Sequence, residues 1–536
     1  MTKTFDRGSG VLLHPTSLPG AHGNGELGNE ARNWVDFLAS AGQRLWQVMP
    51  LGPTGYGDSP YQCFSAFAGN PYLIAVERLV REGWLVADDL APLHDLPTEH
   101  VDYGALYQHK PALLAKAANA FLAGDDAIAP ADTAEEITGG TPAEWRGSSR
   151  GDFGGFCQAN AGWLDDYALF MALKDDLGGA GWTAWPADLR DRDPTAIAAA
   201  AARLAPAVAR HKVWQYWFAR HWRALKAYAA ERGVGVVGDM PIFVALDSAD
   251  VWSNRELFML AADGRPTVVA GVPPDYFSAT GQRWGNPLYH WDEMRRQGFA
   301  WWKRRLRAAL EQVDIVRIDH FRGFAANWEI PAAEATAVKG RWVQAPGAEL
   351  FEALSEDLAD GGTLPLIAED LGVITPDVEE LRERFALPGM KVLQFAFAGG
   401  PDDPYLPHNY VRNCVVYSGT HVNDTTLGWY AKAPEKERDH VRRYLAAGDD
   451  DIAWQLIRLA LASTADLAIV PLQDLLRLGS EARMNTPGSA AGNWSWRFSW
   501  DQVPYWLAPQ VAEMAQLYGR APGLGPVDTA YRQSAV

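Results

Sequence analysis

The stretch VDIVRIDHF, residues 313–321, decides the architecture of this chain. A short β-branched run delivers Arg317, Asp319 and His320 at its C-terminal end. Side chains alternate along a strand, so Arg317 and Asp319 leave the same face of one strand end. Seven other runs share this form. GVLLHP ends near His14 and RLWQVMPLGP near Pro53; VGVVGDMPIF carries Asp239 at its end, and LPLIAEDLG carries Glu369 and Asp370. MKVLQFAF carries Gln394, CVVYSGTH ends on His421, and LAIVPLQD ends on Gln473 and Asp474. Between most of them lie segments of helical period, such as Ala31, Trp34 and Leu38 closed by Gly42. Strands without a wet face, alternating with helices, belong to a parallel sheet. Eight of them predict an α/β chain folded as a (β/α)8 TIM barrel, whose active site lies at the strands' C-terminal ends. An open doubly wound sheet is the alternative that the same pattern allows.

The interval between the second and third strands is far too long for one crossover helix. Within it Trp214, Trp217, His221, Leu225 and Tyr228 step at helical spacing. We therefore assign residues 1–75 and 231–536 to the barrel and 76–230 to a largely helical insertion. Residues 124–142, rich in Ala, Asp, Thr and Gly, read as a mobile surface loop.

A net charge of −18 makes nucleic acid and anionic membranes poor partners and leaves a neutral ligand unaffected. The basic cluster Lys303, Arg304, Arg305 and Arg307 reads as a solvated helix face. Three widely spaced cysteines exclude a disulfide framework and suit a reducing compartment. The opening MTKTFDRGSG lacks the apolar core of a signal peptide, and no apolar run reaches membrane length, so a cytoplasmic location is expected. GNGELG places Gly23, Gly25 and Gly28 at dinucleotide spacing, but seven residues separate it from the strand before it. The next strand also lacks the acid that would hold a ribose, so these glycines read as an irregular loop. No Walker A pattern, H-E-x-x-H or zinc-spaced Cys/His cluster occurs, so neither a cofactor nor a metal is predicted.

The carboxylates carry the chemistry. Arg317 beside Asp319 would keep that acid ionised, as a nucleophile needs. On neighbouring barrel strands, Asp319 and Glu369 can face each other at about 5 Å, the spacing of a retaining glycosidase pair. A pair of rim salt-bridge partners is the structural alternative.

Eight blocks then resemble one family. SGVLLHPTSLPG, PLGPTGYGDSPYQ, GDMPIFV, PPDYFSATGQRWGNPLY, VRIDHFRGF, AEDLGVITPDV, GTHVNDTTLGW and LGSEARMNTPGSAAGNWSWR together look like the amylomaltases. These are the 4-α-glucanotransferases, or disproportionating enzymes, of the α-amylase clan. The blocks run from residue 9 to residue 497 in family order. The resemblance implies a barrel with inserted subdomains and no C-terminal β-domain, and a cofactor-free transferase of maltodextrin metabolism. Its substrates would be maltooligosaccharides, amylose or starch-type glucans, with glucose as an acceptor. Carried over by position, Asp319 would be the nucleophile and Glu369 the general acid/base. Asp239, Arg317, His320 and His421 would hold the sugar at the cleaved bond, and Tyr61 would stack beneath it. Asp275, Tyr276, Gln282 and Trp284 fall in the segment resembling the family's cleft-covering loop, with residues 273–289 a candidate screen against water. Asn493 falls in a second cleft loop, and Tyr56 and Tyr103 correspond to a second glucan site outside the cleft.

The chain departs from the family at one position. The family reads His-Asp-Asn-Asp at the seventh strand, and its first Asp grips the 2- and 3-hydroxyls of the distorted sugar. Here Val422 stands in that place. Three readings follow: an introduced change that traps uncleaved glucan, a natural variant of low or altered activity, or a glucan-binding protein without catalysis. The intact Asp319 and Glu369 speak against the last. A hydrolase of α-glucans is a further alternative.

Overall fold

The computed structural model describes residues 5–124, 152–274, 278–359, 362–489 and 492–521. Residues 125–142 of the segment read as a mobile loop lie outside them, as do Asp275 and Tyr276. In chain order the strands are β1 (Gly8–Leu12), β2 (Leu45–Gln47), β3 (Gly235–Pro241), β4 (Val268–Val272), β5 (Gln282–Pro287) and β6 (Ile315–Asp319). There follow β7 (Ala326–Pro331), β8 (Arg341–Gln344), β9 (Leu366–Ala368), β10 (Gly389–Val392), β11 (Cys414–Tyr417) and β12 (Leu467–Pro471).

Eight of these form one parallel sheet in the order β10-β11-β12-β1-β2-β3-β6-β9. A backbone bond from Ala368 N–H to Pro388 O (2.9 Å) spans the remaining seam. The result is the (β/α)8 barrel that the eight runs predict, each run supplying one strand.

Alternation explains how the same strands build both core and site. Leu12, Leu45, Val237, Ile315, Ile367, Met390, Val392, Val415, Tyr417, Leu467 and Ile469 fill the barrel interior. Their neighbours Val236, Val316, Val416 and Val470 point outward into the larger core beneath the helices. On β3 and β6 the inward series continues upward: Val237 is followed by Asp239, and Ile315 by Arg317 and Asp319. Polar groups therefore stand on an apolar plug at the C-terminal ends of the strands.

The remaining four strands form a second, antiparallel sheet in the order β5-β4-β7-β8. Its strands are short and hold Gly271, Gly285 and several polar side chains, so period-two patterning is weak. Part of the segment expected as a cleft loop, residues 282–287, is strand β5. No strand follows β12 among the described residues.

Between β2 and β3 the long helices are α2 (Tyr103–Ala123), α3 (Phe153–Asp176) and α4 (Ala205–Glu231); the shorter α1 (Asn29–Ser40) follows β1. The fully buried Lys110 of α2 reaches into the loop after β1. Its Nζ donates to Asn24 Oδ1 (2.9 Å), Glu26 Oε1 (2.5 Å) and Tyr72 O (2.7 Å). The GNGELG loop is thus an acceptor cradle for one ammonium group, and it ties α2 to the barrel. Removing one partner of a buried ion pair leaves the other charged and dry. Lys110→Met is expected to destabilise the fold by about 3–5 kcal/mol. A urea midpoint unchanged from the parent would refute this.

One expectation fails here. Arg305 is not on a solvated face but is 2 % exposed. Its guanidinium donates to Ile242 O (2.9 Å), Pro241 O (2.5 Å) and Tyr289 Oη (3.1 Å), holding the segment after β3. Four cations in sequence look alike; only the helix face decides which one is buried. No helix among the described residues is long and apolar enough to cross a membrane.

Candidate active site

Parallel pairing of β3 with β6 sets Asp239 opposite Arg317. Arg317 Nη1 donates to Asp239 Oδ1 (2.8 Å), Asp239 Oδ2 (2.7 Å) and Asp319 Oδ1 (2.9 Å). One guanidinium thus orients two carboxylates. The Asp239 side chain is 1 % exposed, whereas that of Asp319 is 33 % exposed and open to the cleft. Burial pushes Asp239 up to about 6, with Arg317 pulling it down.

Glu369 stands directly after β9, beside β6. Its Oε2 accepts from His320 N–H (2.7 Å) and its Oε1 from Leu371 N–H (2.9 Å). The first of these bonds depends on local backbone geometry. His320 sits in the left-handed region (φ 56°, ψ 51°), a conformation that L side chains adopt at a steric cost. That twist ends β6 and directs the His320 N–H at the carboxylate on the neighbouring strand. Burial, and then the charge of Asp319, push Glu369 up to about 7, against the two N–H bonds. Two carboxyls at adjacent strand ends therefore differ in kind: one is bound by a guanidinium, the other is poised to hold a proton near neutral pH.

Tyr61, from the loop after β2, joins the floor. Its hydroxyl donates to Asp239 Oδ2 (2.8 Å) and lies 2.7 Å from His421 Nε2. An ionised carboxylate only accepts, so the tyrosine oxygen receives its second bond from His421, whose Nε2 carries the proton. Burial keeps His421 well below the ordinary histidine range, so the ring is neutral. Its Nδ1 has no hydrogen-bond partner among the described residues. The Tyr61 and His421 rings stack at 5.2 Å, and Trp494 lies 5.8 Å from Tyr61. Trp284 meets His320 edge-on at 4.7 Å. Burial holds His320 down at about 4.

The turn carrying Val422 is densely hydrogen-bonded. Thr420 N–H (2.9 Å) and Oγ1–H (2.7 Å) both donate to Asn423 Oδ1. Arg483 Nη2 donates to the Val422 carbonyl (2.8 Å). Asp474, 1 % exposed, binds Ser418 Oγ (2.6 Å), Thr426 N–H (2.7 Å) and Thr426 Oγ1 (2.7 Å), clasping both ends of the turn. Asp424 points away: its carboxylate takes Lys432 Nζ at 2.6 Å and Ser480 Oγ at 2.8 Å.

The structure thus brings together Tyr61, Asp239, Arg317, Asp319, His320, Glu369 and His421, with Trp284 at one wall. Gln282 is exposed and accepts from Trp284 Nε1 (3.1 Å). Asn493 spans its own loop instead, accepting from Thr486 N–H (2.8 Å) and donating to Ser489 O (2.9 Å). Tyr103 is half-buried and donates to Trp494 O (2.9 Å). The Tyr56 side chain, with Asp275 and Tyr276, lies outside the described residues. Sequence reading missed Trp494 and the clasping role of Asp474, which it places only at a strand end. The signal for Trp494 was an aromatic next to Asn493 in a glycine-rich loop. Among the described residues no group of three His, Cys, Asp or Glu side chains is arranged to hold a metal ion.

The family profile described as 4-alpha-glucanotransferase (Glyco_hydro_77) matches residues 13–502. A 4-alpha-glucanotransferase of Thermus thermophilus is 53 % identical over 513 residues, 94 % of this chain and 96 % of its own. One from Synechocystis is 48 % identical over 517 residues, covering 96 % of this chain and 98 % of its own. Among solved structures, amylomaltase from Streptococcus agalactiae in complex with acarbose superposes with a TM-score of 0.88 at 37 % identity. That match covers 96 % of this chain and 100 % of the other.

Proposed function

The chain belongs to the 4-alpha-glucanotransferase family, and on that premise we propose that it transfers an α-1,4-glucan segment by double displacement at Asp319 and Glu369. In the first step Glu369 gives its proton to the glycosidic oxygen as the C1–O bond breaks. Asp319 attacks C1, and the leaving glucan departs with the proton. In the second step Glu369, now a base, takes the proton from the 4-hydroxyl of an incoming glucan or glucose. That oxygen attacks C1, the bond to Asp319 breaks, and the α configuration returns. Maltooligosaccharides, amylose and starch-type glucans are the substrates of this reading.

The observation that carries it is the contrast between the two carboxyls: Asp319 bound to Arg317, Glu369 pushed up to about 7. Asp239, Arg317, His320 and His421 form the floor beneath the reacting sugar, and Tyr61 provides the aromatic surface. Trp284 and the segment 273–289 screen the intermediate from water, which favours transfer over hydrolysis. Three free cysteines fit a cytoplasmic site of action.

Val422 supports a reduced-activity form. Valine accepts no hydrogen bond, so the distorted sugar loses contacts that tighten in the transition state. Incubation with maltotriose tests the reaction class. We expect shorter and longer oligosaccharides to accumulate while total reducing ends stay constant. Reducing ends rising with each bond broken would make the chain a hydrolase. Binding of oligosaccharide without redistribution, even after Val422→Asp, would make it a glucan-binding homologue.

A further inference from the structure

The reaction proposed above acts on a chain of sugars, while the residues assigned so far grip the unit at the cleaved bond. A general acid protonates the bridging oxygen, so in that reading the segment on the far side of the bond begins beside Glu369, which is followed by the loop 370–375. Arg322, three residues beyond Asp319, reaches this loop: its Nη1 donates to Val373 O (2.6 Å) and its Nη2 to Thr375 Oγ1 (3.4 Å). The same guanidinium lies 3.9 Å from the centroid of the Trp342 ring. Across the β7–β8 ladder Trp342 is paired with Trp328, and the two rings meet at 5.2 Å and 65°.

Trp342 is therefore held by a cation on one side and an indole on another, yet it is 41 % exposed. No other tryptophan among the described residues is as exposed. Val373, on the loop that Arg322 grips, is 73 % exposed. A fixed, flat, solvent-facing indole presents an apolar surface that the C–H face of a glucosyl ring can cover. Resting on the glucanotransferase reading, we propose that Trp342 is a stacking platform for the glucosyl units beyond Glu369, on the leaving and accepting side of the cleft. Arg322 is its positioning residue. It anchors the platform to the Glu369 loop from a point three residues past Asp319, which keeps the platform in register with both carboxyls.

Calorimetric titration of maltoheptaose and maltose tests this, in a Glu369→Gln background that slows turnover. Trp342→Ala should lower the ratio of maltoheptaose to maltose affinity about tenfold, the loss typical of truncating one aromatic anchor. Trp342→Leu keeps an apolar contact with Trp328 and Arg322 but has no flat ring, and should lower the ratio as much. An unchanged ratio in the folded Leu variant overturns the platform and leaves the glucanotransferase reading standing. Failure of the parent to bind either sugar overturns both.

Discussion

Val422→Asp is expected to raise the rate of chain redistribution from maltotriose by about 10²- to 10⁴-fold. Hydrogen bonds to the sugar 2-hydroxyl that strengthen in the transition state are worth several kcal/mol, and about 1.4 kcal/mol is tenfold in rate. The structure makes reversion simple. The Val422 carbonyl is fixed by Arg483, and the Thr420–Asn423 contacts hold the turn whatever side chain stands at 422. No nearby acid replaces the missing one, because Asp424 is engaged by Lys432 and Ser480 on another side of the turn. The gain should fall on kcat, with KM changing far less, since Tyr61, Asp239 and His421, proposed to bind the ground state, are untouched by the substitution. If the parent were fully active and the aspartate changed nothing, Val422 would have no part in the chemistry.

Glu369→Gln, measured in the Val422→Asp background, should lower kcat by about 10²- to 10⁴-fold, the usual contribution of a general acid. It should also change the shape of the pH profile. Glu369 is pushed up to about 7, chiefly by burial, and must be protonated for the first step. The parent rate should therefore fall about tenfold per pH unit above about 7. This alkaline limb should vanish in the amide variant, which has no proton to lose there. Stability follows the same proton. A carboxyl raised in the folded state stabilises most below its unfolded value, and that contribution is lost as pH rises through about 7. The melting temperature of Glu369→Gln relative to the parent should therefore rise between pH 5 and pH 8. An alkaline limb retained in the variant would assign the titration to another group.

The eight strands were legible because each is a local run, and burial on both faces leaves a local mark in composition. The strand ends were legible for the same reason: Arg317 and Asp319 share a face by alternation alone. The antiparallel sheet was not, since β4 and β5 carry glycines and polar residues that blur the alternation. Arg305 was misread because a run of cations does not record which helix face meets the core.

Composition, the eight barrel strands and the type of residue at each of their ends came from the sequence by itself, together with the valine at 422. The use made of each polar group came only from the tertiary structure. Tyr61 meets Asp239 and His421 across 178 and 360 residues of chain, and these contacts set the proton on His421 Nε2. In sequence Asp424 and Asp474 are simply acids at or near strand ends. The fold makes one a partner of Lys432 and the other a clasp around the Val422 turn. The reason is physical. Hydrophobic periodicity is a property of neighbours in sequence, whereas the state of a carboxyl depends on burial and on charges brought beside it by folding.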